Sequence, residues 1–205
     1  MVYLALVREN GRPLGRRPRF LDWGKGLIVV AGGSEYLFYV FDGKNLNGYD
    51  EGIQDDTEIQ VFSPTWNNLR INNMTGILFY LFWYWFSAGK YLIYFVKNEG
   101  EVVHVSHVLT RNPKFAFMAG KDREIGPCWT HPGFRGRGLY SRVLRRIAGD
   151  LGQGDGRLFV FAEEKNAASL KGIAKAGFSY FGAGIKSSPW GIYRVTSRSG
   201  RERDV

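Results

Sequence analysis

Between Leu139 and Leu151 the apolar residues fall at Leu139, Val143, Leu144, Ile147, Ala148 and Leu151, the one-face spacing of an amphipathic helix. The stretch before it, Glu124–Thr130, has no helical period. It runs toward Pro132, whose ring biases its predecessor to extended backbone, so a strand is expected there. Between strand and helix, Gly136 and Gly138 flank Arg137 in a tight basic turn. Other short apolar runs predict strands at Val2–Val7, Leu27–Ala31, Tyr36–Phe41, Glu58–Phe62, Tyr91–Lys97, Glu101–Leu109, Arg157–Ala162, Phe178–Ile185 and Trp190–Thr196. A second helix is expected over Asn166–Ala176. Gly32-Gly33-Ser34 predicts a hairpin between 27–31 and 36–41, and Asn98-Glu99-Gly100 predicts another between 91–97 and 101–109.

One segment fits neither period. Ile77–Phe86 is ten apolar residues without a break, and Ser87, Gly89 and Lys90 separate it from the next apolar run. A membrane-crossing helix needs about twenty mostly apolar residues. The reading is therefore a helix over Asn67–Ala88 that ends at Gly89 and is buried or docks on a partner, with a homodimer through 77–86 as one expectation and no transmembrane span. Residues 1–65 match no motif and are expected to add strands and loops to the same domain as the core, 66–197, with 198–205 a flexible basic tail.

A 205-residue chain with 44% hydrophobic and 16% aromatic residues is long and apolar enough for one well-buried globular domain. Its single cysteine, Cys128, excludes an internal disulfide and suits a reducing compartment; with no signal-peptide pattern at the start, a cytoplasmic location is expected. The net charge of +9 is concentrated near the start, around the glycine turn and at the end, which favours anionic partners. His104 and His107 are three apart on a strand and point to opposite faces, and no other Cys or His group has ligand spacing, so no metal is expected.

The strand, turn and helix carry the chemistry. A helix that starts in a Gly- and Arg-rich turn presents unpaired backbone N–H groups and the positive end of its dipole, an anion site suited to phosphate. Neither common phosphate loop fits, since Gly138 is followed by Leu139 rather than Lys and the third glycine of a dinucleotide loop is replaced at Ser141. Arg135-Gly-Arg-Gly138-Leu-Tyr140, preceded by Pro132 and Phe134, resembles the R/Q-x-x-G-x-G/A signature of the GCN5-related N-acetyltransferases (GNAT). Asn166-Ala-Ala-Ser169 followed by Gly177-Phe178 resembles the second helix of that family, and the likeness covers roughly 91–193.

The resemblance implies an α/β (α+β) fold with a mixed, mostly antiparallel splayed sheet flanked by helices, and acetyl-CoA lying in the splay. It implies that the backbone of Cys128, Trp129 and Thr130 bonds pantetheine like an added strand. The N–H groups of Arg135, Gly136, Arg137, Gly138, Leu139, Tyr140 and Ser141 would cradle the pyrophosphate, with Asn166 and Ser169 near the cofactor's amide arm. Two positions depart from the pattern: Tyr140 stands where Gly or Ala is usual, and Ile173 where the family's acid is a tyrosine, leaving water, Tyr180 or Tyr193. Glu124 lies eleven residues before Arg135, where the histone-modifying branch carries its base, and by alternation it shares a strand face with Gly126, Cys128 and Thr130. Behind it, His107 and His131 are the next candidates.

The acceptor is expected to be a primary amine on an anionic small molecule. A weaker likeness to surface-polysaccharide acetyltransferases suggests a nucleotide-linked amino sugar, which aromatic surfaces and positive charge would suit. A protein or polyamine acceptor is the alternative, and a non-catalytic basic module binding nucleic acid is a third reading that no nucleic-acid signature supports.

Overall fold

The computed structural model describes residues 35–43, 58–63, 84–85, 87–110, 114–187 and 191–198. The chain divides into two units at Gly32/Gly33, and every described residue belongs to the second. In chain order the strands are β1 (Glu35–Phe41), β2 (Ile59–Phe62), β3 (Leu92–Asn98), β4 (Glu101–Thr110) and β5 (Arg123–Thr130). A 3-10 turn (Pro132–Phe134) leads to helix α1 (Leu139–Leu151), then β6 (Leu158–Glu163), helix α2 (Ala167–Lys175), β7 (Ser179–Ser187) and β8 (Ile192–Arg198).

All eight strands form one sheet in the order β2-β3-β4-β5-β6-β1-β7-β8. Every pair is antiparallel except β5 and β6, which α1 connects as a crossover, as parallel neighbours require. That parallel ladder covers only Arg123↔Leu158, Glu124↔Phe159 and Ile125↔Val160. Beyond Ile125 the two strands part, β5 staying with β4 and β6 with β1. The sheet is therefore mixed, mostly antiparallel and splayed at its centre, as the motifs implied.

Both edges of β1 are occupied, by β6 along Tyr36–Phe41 and by β7 along Glu35–Val40. The other half of the hairpin expected with 27–31 lies outside the described residues. The 98–100 hairpin is as expected, with Glu99 and Gly100 at φ 51° and 86° closing β3 onto β4. The aromatic run 77–86 lies outside the described residues except for Tyr84 and the exposed Trp85. Its end is seen: Gly89 N–H donates to the Tyr84 carbonyl and Ala88 N–H to that of Trp85, the paired bonds that terminate a helix, with Gly89 at φ 76°. Among the described residues no helix is long and apolar enough to cross a membrane.

The helices cover one face. Val143, Leu144, Ile147 and Ala148 of α1, each at most 1% exposed, pack with Ile173 of α2 onto Val96, Val108, Ile125, Leu158 and Val160. Each such side chain contributes roughly 1.5–3 kcal/mol on full burial, so packing, more than propensity, holds the helix. On the opposite face Phe38, Phe159, Phe181 and Tyr193 of β1, β6, β7 and β8 form an aromatic cluster with Phe115 of the segment before β5, while β3 and β4 contribute Ile93 and Leu109 to a separate one with Tyr91.

Candidate active site

The turn before α1 is built to leave backbone donors outward. Pro132–Phe134 makes one 3-10 turn, capped by His131 Nδ1 accepting the Gly133 N–H at 3.2 Å. His131 is thus a loop-shaping residue on the outside of the site. Arg135 is drawn back by its Nε donating to the Thr130 carbonyl at 3.1 Å, and the Arg137 guanidinium lies 4.8 Å from the centroid of Phe134. Gly136 and Gly138 take φ 77° and 76°, values that cost other residues about 1–2 kcal/mol. Gly138 caps the helix without a side chain, and the first intrahelical bond runs from Arg142 N–H to the Gly138 carbonyl at 3.1 Å. The amides of Leu139, Tyr140 and Ser141 precede that bond, and no acidic side chain occupies the first turn. These are the features of an anion-binding helix start.

Cys128, Trp129 and Thr130 pair with Ser106, Val105 and His104 of β4, so one edge of β5 is used. Their other edge faces the splay, because the ladder to β6 stops at Ile125. The open edge runs directly into the turn that precedes α1. Asn166 is the N-cap of α2, its Oδ1 accepting the Ser169 N–H at 3.1 Å, which leaves the Asn166 amide nitrogen as its remaining donor.

Glu124 does not share a face with Cys128 and Thr130. The β4–β5 register passes from Val108↔Ile125 to Ser106↔Cys128, so β5 spends one more residue than β4 between these points. Such a bulge inverts the alternation. Ile125 therefore lies with Cys128 on the helix face, and Glu124 lies opposite, between Leu109 of β4 and Phe159 of β6. It is 5% exposed, yet its Oε1 reaches to 3.6 Å from where a Cβ on Gly126 would stand, at the point where the strands part. The base candidate and the thiol of Cys128 thus approach the cleft from opposite faces of the sheet.

On the helix face lies a buried polar row that the sequence reading did not assemble. Thr130 Oγ1 bonds His104 Nδ1 at 2.7 Å, His104 Nε2 bonds Ser106 Oγ at 2.9 Å, and Ser106 Oγ donates to Cys128 Sγ at 3.2 Å. Tyr140 lies against it, its ring tilted against His104 at 6.1 Å and its side chain packed with Cys128 on the helix-side core. The tyrosine points inward, over α2: a Cβ on Gly172 would come within 2.8 Å of Tyr140 Cδ1. The signal available beforehand was the alternation of His104 and Ser106 opposite Cys128 and Thr130, which needed the strand pairing to be legible.

Burial shapes the ionisation here. It pushes His104 and His107 down to about 4 and the Cys128 thiol up to about 12. The two histidines are therefore neutral at pH 7, and the cysteine is no nucleophile. His107 is held on the other face by Tyr91, whose hydroxyl lies 2.6 Å from its Nδ1. Ile173 is wholly buried in the core, so α2 offers no acid at that position. Tyr193 is enclosed by Phe115, Phe161 and Tyr36, and Tyr180 lies on β7, two strands beyond β6. Among the described residues no group of three or more His, Cys, Asp or Glu side chains is placed to hold a metal ion.

The family model for "Acetyltransferase (GNAT) family" matches residues 60–178, which include β5, the turn, α1, β6 and α2. No protein among those of curated function matches the chain. Among solved structures it is similar to a GNAT-family acetyltransferase of Colwellia psychrerythraea, at 15% identity and a TM-score of 0.48, over 72% of this chain and 53% of that one. It is also similar to a putative GNAT-family acetyltransferase of Novosphingobium aromaticivorans (17%, 0.46, 73% and 61%). A tandem GNAT protein from the clavulanic acid biosynthesis pathway gives 13%, 0.46, 73% and 51%. The chain thus spans about half to three fifths of the length of these structures. With the family model covering more than half of its length, and the splayed sheet and uncapped basic helix start in place, the chain belongs to the acetyltransferase (GNAT) family.

Proposed function

We propose that the protein is an acyl-CoA-dependent N-acetyltransferase. The observation that carries this reading is the continuity of the open β5 edge with the uncapped start of α1: one elongated ligand with an amide-bearing arm and a phosphate group can use both. Acetyl-CoA would extend its pantetheine along Cys128–Thr130 and set its pyrophosphate on the amides of 135–141, with the Asn166 amide nitrogen toward the arm. It supplies the activated acyl group. Glu124 at the mouth of the cleft would accept the proton of the attacking amine, which reacts only when neutral.

We further infer that the acceptor is a primary amine on an anionic small molecule, a nucleotide-linked amino sugar being the class best suited. Glu124 borders the aromatic face at Phe159, and the net charge of +9 favours a diphosphate over a polycationic substrate. We infer a cytoplasmic reaction, a reducing compartment that suits the single cysteine. Calorimetric titration with CoA tests the cofactor reading. The wild type should bind, and folded Gly138→Val, with a branched side chain at φ 76°, should lose affinity at least tenfold. Equal affinity in both would overturn it.

A further inference from the structure

The bulge in β5 sets a second polar side chain beside Glu124. His107 of β4 stands opposite Gly126 and Pro127, the two residues that β5 uses where β4 uses one. It falls between Val105 and Leu109, which pack with Tyr91 and Ile93, so its ring lies on the face away from the helices. Glu124, paired with Leu109, is on that same face. The two side chains are therefore diagonal neighbours across Gly126, with Cβ atoms about 7–8 Å apart. Gly126 puts nothing into the interval. Among the described residues, chain neighbours aside, a Cβ there would meet only Glu124 Oε1 within 4 Å. The helix side of the same point is filled, because His104 and Ser106 are wholly buried there.

His107 is held firmly at one nitrogen and open at the other. Its Nδ1 lies 2.6 Å from the Tyr91 hydroxyl oxygen, and the two rings stack at 11°. Nε2 makes no hydrogen bond to a described residue. Since no buried side-chain nitrogen or oxygen among the described residues lacks a partner, Nε2 lies open to the surface.

We propose that His107 Nε2 accepts a hydrogen bond from the acceptor amine and thereby selects primary over secondary amines. This rests on the reading that the splay takes acyl-CoA and Glu124 takes the amine proton. A neutral primary amine has one lone pair and two N–H bonds. The lone pair bonds the acyl carbon, the carbon–sulfur bond breaks with its pair on sulfur, and CoA leaves as a thiolate that water protonates. One amine proton passes to Glu124 and the other stays in the product amide. His107 holds the one that stays, while its own proton sits on Nδ1 and is donated to the Tyr91 hydroxyl. A nitrogen bonded to both groups at about 2.9 Å fits the gap over Gly126. Burial keeps the imidazole neutral at pH 7, so it does not repel an arriving ammonium. A secondary amine has a single N–H, which goes to Glu124. Its alkyl group would then face Nε2 and leave that nitrogen unpaired.

Two measurements test this. Nitrogen NMR of histidine-labelled protein bound to CoA at pH 7 should show His107 neutral with its proton on Nδ1; a proton on Nε2 overturns the proposal. Acetylation of UDP-glucosamine and of its N-methyl derivative should favour the primary amine in kcat/KM by about tenfold or more. His107→Asn keeps a polar atom toward Tyr91 and none at the Nε2 position. It should lower that preference to about threefold or less, with CoA affinity by calorimetry within about twofold of wild type. His107→Gln places a carbonyl at the Nε2 position and should retain the preference. An Asn variant like wild type beside a failing Gln variant would make His107 a support for Tyr91 alone and overturn the proposal. Should neither variant fold, a wild type without the preference overturns it. If wild type binds CoA yet acetylates neither probe, the amino-sugar reading falls and the ring spectrum decides His107. Failure to bind CoA sinks the cofactor reading and this one with it.

Discussion

Tyr140 and Gly172 are matched across the two helices: a Cβ added to Gly172 would stand 2.8 Å from Tyr140 Cδ1. The large residue on α1 is tolerated because the small one faces it on α2. On helix propensity alone Gly172→Ala should stabilise α2 by up to about 1 kcal/mol. The contact reverses the sign, and overpacking should cost ~1–3 kcal/mol in urea unfolding. Combined with Tyr140→Ala the same substitution should be harmless or favourable. Additive effects in the double variant would show that the two residues are not coupled.

Glu124→Gln keeps the size of the side chain and removes the base. In a coupled assay kcat should fall roughly 10²-fold or more, the usual scale of general-base catalysis, and recover in part at high pH where free amine accumulates. CoA affinity should hardly change, because Glu124 lies on the face opposite the Cys128 side chain. A wild-type kcat across neutral and mildly alkaline pH would remove Glu124 from the mechanism.

The closed end of the splay is held by Asp122, 3% exposed, which accepts the N–H of Ala119 at 2.7 Å, that of Arg157 at 3.0 Å and the Arg157 guanidinium at 3.1 Å. It ties the segment before β5 to the start of β6. Asp122→Ala strands these donors and should cost about 2–4 kcal/mol, below the upper range for a buried pair because Arg157 keeps a third of its side-chain surface. Urea unfolding of the variant measures it, and a loss under about 1 kcal/mol would show that the donors find other partners.

Acid should destabilise the fold through its histidines. His104 and His107 are held near 4 by burial, below the unfolded value of 6.5. In that interval the unfolded chain binds more protons than the folded one. Stability is therefore full above pH 6.5 and falls as pH drops toward 4, by on the order of 2–3 kcal/mol for each group at most. Urea midpoints across this range test it, with NMR titration of the two ring protons as the direct check. A stability flat between pH 4 and 6.5 would contradict the assignment.

What the sequence determined by itself was the local part of the molecule. The apolar spacing placed α1 within a residue, Gly138 and Asn166 marked the starts of both helices, and the 98–100 turn fixed one hairpin, because each depends on neighbours a few residues away. The motif pair also carried the family and the sheet type.

The tertiary structure alone decided which strands meet and which way side chains turn. β1 lies between β6 and β7, more than a hundred residues later in the chain, a pairing that no local pattern encodes. The bulge at Gly126 and Pro127 adds one residue to one strand, and that single step moved Glu124 to the face opposite Cys128. Tyr140 was ambiguous in the sequence for the same reason. Its inward course depends on Gly172, His104 and Cys128, three residues that are brought together only when β4, β5 and the two helices pack, and a side chain's direction is set by the space its distant neighbours leave.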